Sequence, residues 1–131
     1  MDRARLAQIA EAYGIELVIQ FGSTALGTAP ARSDLDLALW FSRPPESLLD
    51  VPELVVDLQS AFSRDDVDLV HLNHADPLLL QQVVDHGLLL SGAPRRWADV
   101  RLYAFKRYQD HRRFLQMERE YVERAIASAR R

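Results

Sequence analysis

Two aspartates, Asp34 and Asp36, stand inside an otherwise apolar run, SDLDLALWF. A short apolar run of this kind predicts a β-strand over 34–41. Side chains alternate across a strand, so Asp34, Asp36, Ala38 and Trp40 share one face, and Leu35, Leu37, Leu39 and Phe41 share the other, the core face. The aspartate face is then either solvated or a site. Two carboxylates on one face, with Cα atoms roughly 7 Å apart, repel each other, which raises the pKa of one of them unless a cation lies between. Mg²⁺ suits that place, because it takes carboxylate oxygens and keeps positions open for phosphate oxygens. Asp68, in the apolar stretch VDLV, can join the pair if its strand is the neighbour; Asp66, on the same side, is its rival. Three carboxylates around two metal ions suit phosphoryl or nucleotidyl transfer.

Upstream, Gly22-Ser23 closes the stretch IELVIQF, a predicted strand over 15–21. Glycine lets a backbone approach phosphate closely, serine offers a hydroxyl, and the amides that follow are free if a helix starts there. Gly22 and Gly27 fit the first part of a P-loop, but Thr28-Ala29 stand where Lys-Ser/Thr is required, so a Walker A motif is excluded. His71, His74, His86 and His111 lack the spacing of a metal pair and read as surface or packing residues.

The elements that must position these groups follow from periodicity. Leu6, Ile9, Ala10 and Tyr13 predict an amphipathic helix that Gly14 ends. A short helix can begin at GSTALG, and 29–33, with Pro30, reads as a loop. Asp50 with Glu53 resembles a capping box for a helix with Leu54, Val55, Leu58 and Phe62 on its apolar face. VDLVHL, 67–72, predicts a third strand. Asp76-Pro77 is a helix N-cap with proline at the first position, and Gly87 can close that helix. LLL, 88–90, reads as a short edge strand. A long helix is expected from about Trp97, with Ala104, Tyr108, Leu115, Val122 and Ile126 on one face and the pairs Arg119/Glu123 and Glu120/Arg124 outside. The order implies one domain of α/β or α+β class, a small mixed sheet flanked by helices with a long C-terminal helix.

Composition narrows the function. The chain has 131 residues, enough for one core, and a formal net charge of −3, which demands neither nucleic acid nor an anionic membrane. It has no cysteine, which excludes disulfide scaffolds, zinc knuckles and thiol catalysis, and Lys106 is its single lysine. No apolar run approaches the ~20 residues of a membrane span, and the N-terminal stretch lacks a signal-peptide pattern, so a cytoplasmic protein is expected.

Gly22-Ser23, ten residues, then Asp34-x-Asp36 resembles the signature of the DNA polymerase β-like nucleotidyltransferase superfamily, and the chain is most similar to its minimal nucleotidyltransferase branch. The likeness runs from the first helix to about Gly92, which marks 1–92 as the core and 93–131 as a C-terminal helical extension of the same domain. The resemblance implies that Gly22 and Ser23 hold a nucleoside triphosphate. It implies that Asp34 and Asp36 bind Mg²⁺, and that Asp68 is the third ligand and helps activate the nucleophile. It further implies an antitoxin that transfers AMP from ATP to a tyrosine of a HEPN ribonuclease toxin. The chain departs from the family in having Thr24, Ala25 and Leu26 where arginines often stand, which implies either weaker triphosphate binding or Arg32 as a substitute for their charge. The C-terminal helix has two readings, a solvated helix packed on its own domain or a partner-binding helix, the second favoured by Tyr103, Phe105, Phe114, Met117 and Tyr121. Direct nucleic-acid binding is not expected, because Glu118, Glu120 and Glu123 interrupt the arginines. The alternatives are an antitoxin that works by binding alone, or transfer to a small molecule.

Overall fold

A computed structural model describes residues 1–22 and 34–130. The chain runs α1 (Arg3–Tyr13), β1 (Ile15–Phe21), β2 (Leu35–Phe41), a 3-10 turn (Leu48–Asp50), α2 (Pro52–Phe62), β3 (Val67–His71), a second 3-10 turn (Leu72–His74), α3 (Pro77–His86), β4 (Leu88–Ser91) and α4 (Pro94–Ala129). The expected short helix at GSTALG, the loop 29–33, Ser23 and Arg32 lie outside the described residues.

The sheet is mixed, in the order β3-β2-β1-β4. β1 pairs antiparallel with both β2 and β4, whereas β2 and β3 run parallel. Helices cover both faces. On one, Leu6 and Ile9 of α1 and Leu54 and Leu58 of α2 pack on Val18, Leu35, Leu37, Leu39 and Phe41. On the other, Leu80 and Val83 of α3 and Val100 and Ala104 of α4 pack on Leu17, Ile19 and Ala38. The face that carries Asp36 is therefore not uniformly open. Ala38 is fully buried and Trp40 half-buried beneath α4, where Tyr103 meets the Trp40 ring edge-on at 5.8 Å between centroids. Only its Asp34–Asp36 end stands clear of that core.

Local chemistry explains where elements differ from expectation. The capping box belongs to Ser47 and Asp50 on the 3-10 turn, not to Asp50 and Glu53. Pro52 sets the start of α2 at N1, so Asp50 is engaged before the helix begins and Val51 caps it without a side-chain bond. β3 stops at His71 rather than residue 72. Asn73 takes the place of the next pairing residue: its Oδ1 accepts from the Phe41 N–H at 2.8 Å and its Nδ2 donates to the Phe41 carbonyl at 3.1 Å. α4 begins at Pro94 rather than near Trp97, because proline needs no N–H partner in a first turn.

Candidate active site

Three strand ends converge on one edge of the sheet. Asp36 lies directly opposite Asp68 in the parallel β2–β3 ladder, with strands about 4.8 Å apart, so both carboxylates leave the same face at the same height. Asp34 precedes β2 by one residue. The ladder begins at Leu35, whose N–H donates to the Asp66 carbonyl at 2.8 Å. The Asp34 carboxyl lies within hydrogen-bonding reach of Asp68, and repulsion from Asp68 followed by that contact pushes its pKa above the ordinary carboxylate range. Asp36 is half-buried, and its pKa is also raised, by burial first and then by the charges of Asp68 and Asp34.

Asp66 is held by a partner of its own, although its charge also raises the Asp34 pKa. The Arg64 guanidinium grips it with two bonds, Nε to Oδ1 and Nη2 to Oδ2, both 2.7 Å, and this pairing holds its pKa below the usual range. The geometry thus sets Asp68 opposite Asp36 and ties Asp66 to Arg64. Sequence reasoning left that choice open. The Arg-x-Asp spacing of Arg64 and Asp66 was its only available signal, and two residues so close do not by themselves predict a bidentate pair.

Gly22 completes the edge. Phe21 pairs with Asp36 in the β1–β2 ladder, and the next residue turns with φ +75° over the Asp36 side chain. A Cβ at Gly22 would crowd the Asp36 carboxylate, which would have to rotate aside, and the backbone angle is one that side chains rarely adopt, so glycine suits the position. The glycine was read from sequence as a place for phosphate; its contact with Asp36 was not. The predicted Ser23 lies outside the described residues.

His71 and His74 are engaged with each other and with the backbone. The rings of His71 and His74 stack at 4.0 Å between centroids, and His71 Nε2 donates to the Pro45 carbonyl at 2.8 Å. Among the described residues, no three histidine, aspartate or glutamate side chains enclose a ready-made metal cage. No described helix is long and apolar enough to cross a membrane.

Comparison with known proteins agrees with this geometry. Residues 4–95 match the family described as "Polymerase beta, Nucleotidyltransferase". The chain is 35% identical over 108 residues to the protein adenylyltransferase MntA of Shewanella oneidensis, covering 82% of this chain and 73% of that protein. It superposes with a TM-score of 0.72 and 28% identity on a chain from a crystal structure of a toxin–antitoxin with AMP-PNP, over 97% of this chain and 99% of that one. A structure of a tri-AMPylated Shewanella oneidensis HEPN toxin with its MNT antitoxin gives a TM-score of 0.64 at 26% identity, over 95% of each chain. With its paired strand-end aspartates and a family match that spans most of the fold, this chain belongs to the polymerase β nucleotidyltransferase family.

Proposed function

We propose that this chain is a Mg²⁺-dependent adenylyltransferase that moves AMP from ATP onto a tyrosine hydroxyl of a HEPN-domain toxin and so acts as its antitoxin. The observation that carries this reading is the facing of Asp36 and Asp68 across β2 and β3, with Asp34 against Asp68. The name of the Shewanella relative and the tri-AMPylated toxin in a similar complex support the choice of AMP and of a toxin as acceptor.

The donor set fits Mg²⁺. Its members are hard oxygen ligands: the Asp68 charge raises the Asp34 pKa, burial and then the Asp68 and Asp34 charges raise that of Asp36, and the repulsive part is what a divalent cation among them relieves. When bound, Mg²⁺ would neutralise the triphosphate and lower the pKa of the attacking hydroxyl. Asp34 and Asp36 would hold the ions, and the Asp68 carboxylate would complete the set and help draw the proton from the acceptor hydroxyl. Gly22 would keep the approach to Asp36 open, and with Ser23 would hold the triphosphate. In the transfer, the tyrosine oxygen bonds to the α-phosphorus of ATP while the bond from that phosphorus to the bridging oxygen breaks. Pyrophosphate leaves with the electron pair.

Residues 1–92 would act as the catalytic core and 93–131 as the extension that holds the partner. The exposed Phe105, Leu115, Val122 and Ile126 of α4 favour such contact. A cytoplasmic setting suits an enzyme that draws on ATP.

The test is the intact mass of the HEPN toxin co-expressed with this chain or with its Asp34→Asn/Asp36→Asn variant. The wild type is expected to add one or more AMP units. The variant should lose more than about 100-fold of the transfer rate, since even outer-shell partners of a metal are worth about 10–100-fold. Full transfer by the variant would overturn the mechanism; an unmodified toxin that still co-purifies with the wild type would mean neutralisation by binding alone.

A further inference from the structure

From Arg112 onward every described residue of α4 is exposed. The segment 112–129 spans roughly 27 Å of helix with no tertiary support, and an isolated helix of that size is marginal in water. It nevertheless presents large apolar groups: Phe114 is 59% exposed, Met117 61% and Tyr121 70%. An unsupported helix with such a surface requires a cover.

The order of the residues says which cover. Asp110, Phe114, Met117, Tyr121 and Arg124 recur at alternating steps of four and three, so they form one line along the helix. Read outward from Met117 the line is symmetric in kind: an aromatic on each side, then a charge. The two charges are opposite. We propose that this line of α4 pairs antiparallel with the same line of a second copy of the chain, about a two-fold axis at Met117. In that pair Met117 meets Met117, Phe114 lies opposite Tyr121, and Asp110 lies opposite Arg124, each contact made twice, as an isologous interface requires. Arg113 and Glu120 flank the line on one side and exchange in the same way. A parallel pair would set Asp110 on Asp110 and Arg124 on Arg124, which like charge disfavours. A different protein as sole occupant would need no such symmetry in the line. Leu115, Val122 and Ile126 lie on a separate line roughly 140° round the helix and remain available to a toxin.

The chain has no cysteine, which makes the test direct. Full-length Met117→Cys, mildly oxidised, is expected to form a disulfide-linked dimer, whereas Gln116→Cys, off the line, is not. In sedimentation equilibrium the wild type is expected to show a concentration-dependent dimer. Asp110→Arg and Arg124→Asp should each weaken it at least about fivefold, and the double reversal should restore it to within about twofold. Circular dichroism checks that each variant keeps its helix. A wild type that stays monomeric at the highest concentration run would overturn the proposal. So would a double reversal no better than the singles, or Met117→Cys and Gln116→Cys cross-linking equally. A monomer whose Met117→Cys thiol is protected only when toxin is added would assign the line to the toxin instead.

Discussion

At the scale of single residues, the site is a place where the fold tolerates unfavourable charge. The Asp36 pKa is raised by burial and by two neighbouring carboxylates. A carboxyl whose folded pKa exceeds its unfolded value binds its proton more readily in the folded state, so stability falls as pH rises from the ordinary value, about 3.9, through the raised one. Asp36→Asn removes that loss. Without divalent cation, the variant is expected to melt roughly 1–3 °C above wild type at neutral pH, a small gain because solvent screens so open a group. The two curves should converge as pH falls below the ordinary carboxylate range. Thermal melts across pH check this, and a variant less stable than wild type at neutral pH would contradict it. Gly22→Ala should act in the opposite sense. Its Cβ displaces the Asp36 carboxylate and sits on a backbone at φ +75°, so we expect a loss of about 1–2 kcal/mol in denaturant unfolding together with reduced transfer.

At the scale of elements, β1 and the Asp76-Pro77 start of α3 were legible because periodicity and capping chemistry agree there. The two-sided burial of the sheet was less so. Leucines mark one face of β2 plainly, whereas the other carries Ala38 and Trp40, a small residue and an amphipathic one, which say little about a covering layer. That Asp68 faces Asp36 while Asp66 is bound by Arg64 depends on strand register, and register is a property of the assembled sheet. Asn73 was equally silent in the sequence, although it closes β2 by bonding both polar backbone atoms of Phe41. Asn73→Ala leaves both without that partner and should cost about 1–3 kcal/mol in denaturant unfolding. A variant as stable as wild type would show that these bonds are replaceable.

At the scale of the whole molecule, the chain combines an open end of the sheet bearing carboxylates with a projecting helix. The division can be tested by separating stability from capture. Val122 is 52% exposed on the distal half of α4, away from the core. Val122→Glu is expected to leave the melting temperature within about 2 °C of wild type, as exposed substitutions usually do, while weakening toxin capture at least about tenfold. Melting curves and pull-down titrations with the HEPN toxin measure both; unchanged capture would place the toxin elsewhere on the molecule.

The irregularity near the start of β1 has a consequence for how this sequence can change. Ile15 pairs with Phe41 and Leu17 with Trp40, so Glu16 is an extra residue in the ladder; its side chain reaches across to Arg96 of α4 at 2.5 Å. Because of it, Ile15 points into one core and Leu17 into the other. Loss of one codon here would either rotate Ile15 into the wrong layer or drag Phe21 and Gly22 one step back from Asp36, so the number of residues in this strand, more than the identity of any one of them, is what inheritance has to preserve.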